Sequence, residues 1–191
     1  MIRFFGGRVM TLANGIETQD IEVWTEGSKI VFVGKPKAEE LDGKVFEREY
    51  DLKGNLLMPS FKNAHTHSAM TFLRSYADDM PLQDWLFKQI FPMEAKLDGE
   101  KVYWLTKLAI LEYLTTGCTA TFDMYFELDD YVKACIESGF RSVLCGAVSG
   151  DKSNLERLEN NYLKYNGKDP LISFMLGFHA EYTCEKELME G

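Results

Sequence analysis

Asn63-Ala64-His65-Thr66-His67 sets two of the chain's three histidines two residues apart, directly after the apolar run Leu56-Leu57-Met58-Pro59-Ser60-Phe61. Side chains alternate along a strand, so residues i and i+2 face the same way, and two imidazoles at a strand end can reach one cation. Neutral imidazole suits zinc or iron(II), and such a cation brings the pKa of water toward neutrality. Hydrolysis is the chemistry this pair would serve. A lone His-x-His also arises by chance on surfaces and in cores, so the pair takes its meaning from its surroundings.

The elements that must position it come in two kinds. Residues 1–55 alternate apolar and polar side chains in short runs broken by turn residues, as half-buried strands do. The runs 20–24 and 29–33 flank Thr25-Glu26-Gly27-Ser28 and predict a hairpin, and 46–50 adds a strand before the Lys53-Gly54-Asn55 turn. A small antiparallel β unit is expected. From Leu56 onward apolar strands alternate with amphipathic helices, the signature of βα units. The first strand ends at the histidine pair. A helix is expected over 82–90, a longer one from about Gly99 to a stop at Gly117, and others over 129–138 and 155–165. The later strands are expected over 118–124, 141–148 and 171–178, and Thr183 is placed to cap one more helix. Four parallel strands are half the number that closes a barrel. Functional groups on such a sheet gather at the C-terminal strand ends. His65 and His67 close strand one, Asp123 lies near the end of strand two, and His179 follows strand four.

Composition excludes several classes. Apolar residues make up 46% and charged residues 27% of the chain, with no low-complexity run, so a packed soluble protein is expected rather than a disordered one. A net charge of −9 repels polyanions, which argues against nucleic acid as a partner. Cys118, Cys135, Cys145 and Cys184 lie far apart without a Cys-x-x-Cys pair, so no zinc knuckle is expected, and reduced thiols fit the cytoplasm. No apolar stretch reaches the roughly 18 residues needed to span a bilayer, so no membrane partner is expected.

Three blocks supply the context the histidine pair needs. They are Ser68-Ala69-Met70-Thr71-Phe72-Leu73-Arg74 running on through Trp85-Leu86 to Phe91-Pro92-Met93-Glu94, then Thr116-Gly117-Cys118-Thr119-Ala120-Thr121-Phe122-Asp123-Met124-Tyr125, and Gly177-Phe178-His179-Ala180-Glu181-Tyr182-Thr183-Cys184. In this order and across nearly the whole length, the chain resembles the amidohydrolase superfamily, and within it the deaminases of methylthioadenosine and S-adenosylhomocysteine. The resemblance implies an α/β fold: a partial (β/α)8 TIM barrel comprising the first four βα units, with a small N-terminal antiparallel β-sandwich half. Residues 1–55 would be the N-terminal segment of a composite β-sandwich domain, and 56–191 the first half of the hydrolase barrel. A closed barrel usually takes about 250 residues. The family's next strand ends, with a His-x-x-x-Glu-like pair, a later His and a metal-binding Asp, have no counterpart after His179.

The resemblance also implies the site. His65 and His67 would bind one divalent metal, zinc or iron. Trp85 would flank the substrate, Glu94 would accept hydrogen bonds from the ribose hydroxyls, and His179 would contact the purine nucleoside. Each has a plainer alternative as a core aromatic, a solvated acid or a hydrogen-bonded core histidine. The implied reaction is hydrolytic deamination of an adenine nucleoside by the parent protein, with residues 1–191 inactive alone because the proton-moving carboxylate lies beyond them. The alternatives are hydrolysis of another aminated or halogenated ring (guanine, cytosine, a triazine), or a non-catalytic half-barrel that self-associates. The expected partners are a small nucleoside and either a second copy or a complementing C-terminal half. Two departures from the family pattern stand out: Ser60 where glycine is usual, and Gly146 where some members carry an arginine for the far end of the substrate, a role Arg157 could take.

Overall fold

The computed structural model describes residues 1–13 and 15–190, apart from the side chains of Ala147 and Lys152. It divides into two compact units, Met1–Ser60 and Phe61–Gly191.

The first unit contains two small sheets. One has the order β5-β4-β1-β6, built from β1 (Ile2–Phe5), β4 (Glu22–Glu26), β5 (Lys29–Gly34) and β6 (Arg48–Asp51); the other has the order β3-β2-β7, built from β2 (Arg8–Met10), β3 (Thr18–Gln19) and β7 (Leu56–Leu57). The hairpin forms as expected: Glu26 pairs with Lys29 across a two-residue turn, and Gly27 takes the positive φ of +56° that such turns favour. Arg3 ties three strands of the first sheet together, meeting Glu22 at 2.6 Å and Glu49 at 2.9 Å.

Two expectations change here. The unit is mixed rather than antiparallel, because β6 pairs parallel with β1 and β7 pairs parallel with β2. In each pair the partners are separated by the intervening strands rather than joined by a hairpin, and a parallel return requires such a crossover. Leu56-Leu57 also belongs to this unit's second sheet, not to the strand that ends at the histidines, which begins only at Phe61.

The second unit is α/β. Its sheet has the order β11-β10-β9-β8, formed by β8 (Phe61–Thr66), β9 (Cys118–Asp123), β10 (Arg141–Val148) and β11 (Ile172–Phe178), with every neighbouring pair parallel. The connecting helices include α4 (Gly99–Thr115), α5 (Leu128–Glu137) and α6 (Leu155–Tyr165). Asp98 caps α4 by accepting from the Lys101 amide at 3.0 Å, and the chain leaves the helix through Gly117 at φ +81°. Val102 and Ile110 of α4, Tyr131 and Cys135 of α5, and Leu144 and Phe174 of the sheet share one buried cluster. Phe140 belongs to it, 1% exposed and stacked on Tyr113 at 5.7 Å between ring centroids. Phe140→Ala is therefore expected to cost about 3–5 kcal/mol, read as a lowered urea midpoint at unchanged slope.

The helix expected over 82–90 runs further. α2 (Leu82–Asp84) passes into a π-helical turn, Trp85–Ile90, and then α3 (Phe91–Glu94), with Pro92 in the first turn of α3. Pro92 would stop an α-helix, since it lacks an N–H and its ring clashes with the preceding turn. The Phe91 amide instead bonds to Leu86 O, five residues back, and this widened turn carries the helix on to Glu94. A short helix, α1 (Ala38–Leu41), lies in the first unit, and α7 (Lys186–Glu190) follows β11. Among the described residues no helix is long and apolar enough to cross a membrane.

Candidate active site

The C-terminal ends of the four parallel strands and the helix 82–94 enclose a cleft of about 290 Å³ whose lining includes His67, Trp85, Glu94, Tyr125, Arg157 and His179. Four of the five residues singled out from the sequence thus meet in one place. His65 is absent from this lining and more exposed, but its ring stands against that of His67, with centroids 5.0 Å apart and planes at 87°.

His67 is held firmly. Its Nδ1 lies 2.7 Å from the carbonyl oxygen of Met124, in the loop after β9. A carbonyl only accepts, so Nδ1 bears the proton and Nε2 keeps a free lone pair. On either side of His67 the chain is pinned to its neighbours. Thr66 Oγ1 meets the Tyr113 hydroxyl at 2.5 Å, and the Ser68 amide and hydroxyl both donate to the Asp123 carboxylate. Asp123 is 1% exposed, and burial pushes its carboxyl above the ordinary range. It organises the end of the sheet and does not line the cleft.

His179 follows β11, its amide donating to Val148 O at 2.8 Å. Its Nδ1 lies 2.8 Å from Thr183 Oγ1, and the Thr183 hydroxyl donates to Ala180 O at 3.0 Å. With its only proton committed, that hydroxyl accepts from the imidazole, so His179 also keeps Nε2 free. Burial and the neighbouring His67 both lower its pKa, which favours the neutral ring. The expected cap role of Thr183 is overturned for the same reason. The residue ends a single turn, Glu181–Thr183, its hydroxyl is engaged by the His179 ring, and α7 starts only at Lys186.

Glu94 is half-buried beside Tyr125. Burial raises its carboxyl above the ordinary range, opposed by the Tyr125 hydroxyl and by His67. The Tyr125 hydroxyl, buried as well, influences Glu94 without closing to a regular hydrogen bond among the described residues. Tyr125 is not among the residues that the sequence singles out. Its signal was the position two residues past Asp123, at the rim where strand two ends. Gly146 does not line this cleft, and a Cβ there would stand 2.2 Å from Leu158 and 2.8 Å from Phe174, so an arginine would have to displace both side chains, whereas Arg157 lines the cleft.

The donor set is thus two imidazoles with at least one lone pair directed away from its hydrogen-bond partner. Among the described residues no group of three or more His, Cys, Asp or Glu side chains is arranged to hold a metal. The chemistry fits a shared cation, with the two rings supplying part of its coordination.

Residues 56–191 match the amidohydrolase family. The chain belongs to that family. It is 41% identical over 174 residues to a 5-methylthioadenosine/S-adenosylhomocysteine deaminase of Desulfitobacterium hafniense, covering 88% of this chain and 40% of the relative. It is 42% identical over 178 residues to a 5'-deoxyadenosine deaminase of Methanocaldococcus jannaschii, covering 90% of this chain and 41% of the relative. Among solved structures, a zinc-bound adenosine deaminase from Xanthomonas campestris superposes with a TM-score of 0.85 at 29% identity, over 99% of this chain and 45% of that one. This amidohydrolase chain therefore spans about two fifths of the length of the curated relatives it matches.

Proposed function

We propose that the chain is the N-terminal part of a metal-dependent deaminase of adenine nucleosides, comprising the first four βα units of a (β/α)8 barrel and part of a composite β-sandwich. The observation that carries this reading is the meeting of His67, Trp85, Glu94 and His179 in one cleft at the C-terminal strand ends. Relatives at 41% and 42% identity are named for deamination of adenine nucleosides, which favours that substrate over guanine, cytosine or a triazine.

His65 and His67 would hold the cation, zinc or iron(II). When bound, it supplies Lewis acidity that brings the pKa of water toward neutrality, making hydroxide available to attack the amino-bearing carbon of the purine. The chain's own side chains bind and orient the nucleoside. The Glu94 carboxylate accepts from the two ribose hydroxyls, Trp85 lies along the substrate, and the neutral His179 offers Nε2 as an acceptor to the purine. Arg157 stands ready for an anionic group at the far end of the substrate. On this reading the carboxylate that moves protons, and the remaining metal ligands, would come from a part of the protein outside residues 1–191.

The sheet edges fit this view. β8 and β11 are the edge strands of the four-stranded sheet, and unpaired parallel edges call for covering. The remaining barrel strands would cover them, or a second copy would when residues 1–191 are alone.

The test is activity of the chain joined to the remainder of its reading frame. Given zinc or iron(II) and methylthioadenosine, it is expected to release ammonia with loss of adenine absorbance. No ammonia from a folded, metal-loaded protein, with any of methylthioadenosine, S-adenosylhomocysteine or 5'-deoxyadenosine, would refute the proposal.

A further inference from the structure

We propose that Asp123 is a positioning residue for His67, acting through Ser68 and the loop after β9 to fix the ring's tautomer and direction. The inference deepens the metal-site reading above, and its first readout requires no metal.

The parallel ladder between β8 and β9 is irregular where the site begins. Register shifts occur after Phe61 and again between Asn63 and Thr66, so regular pairing is lost on the stretch that contains His65. Irregular pairing re-aims side chains, and it also removes the bonds that would fix them. Three other bonds do that here, one per residue. Met124 N donates to Thr66 O at 3.1 Å, His67 Nδ1 donates to Met124 O at 2.7 Å, and Ser68 N donates to the Asp123 carboxylate at 3.2 Å. The Ser68 amide thus finds a side-chain acceptor in place of a strand partner, and the Ser68 hydroxyl bonds to the same carboxylate.

Asp123 and Met124 are adjacent, as are Ser68 and His67. The carboxylate clamp therefore sets the distance across which the His67 ring reaches the Met124 carbonyl. A buried carboxylate without a cationic partner costs stability, and Asp123 is fully buried with no ion pair among the described residues. Its donors are the two groups of Ser68, backed by Tyr113, whose hydroxyl lies 3.1 Å from Ser68 Oγ. A group that costs stability yet bonds the residue next to His67 is placed for geometry. Partners that orient a ligating histidine in this way typically change metal affinity 10- to 100-fold when removed.

With only three histidines in the chain, nitrogen-15 spectra of the imidazoles resolve each ring. In the unsubstituted 191-residue chain His67 is expected as the Nδ1–H tautomer. In Asp123→Ala it should become a mixture of tautomers while the His179 signals stay in place, since that ring is fixed separately by Thr183. Zinc affinity, measured by competition with a chromophoric chelator, should fall 10- to 100-fold. A folded Asp123→Ala chain with unchanged His67 signals would overturn the inference. If that variant loses the His179 signals as well, it has unfolded, and Ser68→Ala is read instead. A partial shift of His67 in the same direction supports the inference, and none overturns it. If neither chain binds zinc but the His67 tautomer responds, the positioning role stands and the metal-site reading fails.

Discussion

Glu94→Gln in the complete protein should raise KM for methylthioadenosine by on the order of 10- to 100-fold while leaving metal content unchanged. The carboxylate is half-buried and in the proposed pose would offer charge-assisted acceptance to two neighbouring hydroxyls. Such bonds contribute about 1.5–3 kcal/mol each, and the neutral amide retains only part of that. Burial adds a pH signature, since it raises the Glu94 carboxyl above its ordinary range. As pH falls, the protonated form therefore accumulates earlier than for an exposed glutamate, and KM should begin to climb above the usual carboxylate pKa. Steady-state kinetics from pH 5 to 8 on both proteins checks this. An unchanged KM, or a variant with the same acid limb as the parent, would remove Glu94 from the pocket.

Residues 1–191 alone, loaded with zinc or iron(II), should show no deamination of methylthioadenosine, whereas the complete protein is expected to turn it over. General acid–base catalysis contributes about 10²–10⁴-fold, and on the proposed reading the 191-residue chain would lack both the proton-moving carboxylate and part of the metal's ligands. Among the described residues no third side chain joins the two imidazoles. Ammonia release by the 191-residue chain above a metal-only control would mean that the reacting groups lie within it.

Local signals made much of this architecture readable. The bounds expected for β10 and α6 match those observed, because Gly139 and Asn166-Gly167 punctuate strongly periodic segments. Long-range geometry was less accessible. The sequence contains nothing that distinguishes a parallel from an antiparallel partner for Arg48–Asp51, because both present the same alternation. Pro92 signalled a helix end, and only the π-helical turn before it shows how Trp85 and Glu94 come to share one helical segment. The histidine pair stood out through spacing. Tyr125 and the Ser68–Asp123 clamp did not, because a tyrosine, a serine and an aspartate gain their roles from neighbours 31 to 55 residues away.

His65 and His67 are proposed to share a divalent cation at the C-terminal rim of the four parallel strands. Zinc titration of the 191-residue chain against a chromophoric chelator, repeated for His65→Ala, His67→Ala and the double variant, decides the point. One weakly held ion per chain is expected, well short of the affinity of a four-ligand site, with binding reduced by each replacement and abolished by both. An equal affinity in the double variant would place the ion elsewhere and contradict the claim.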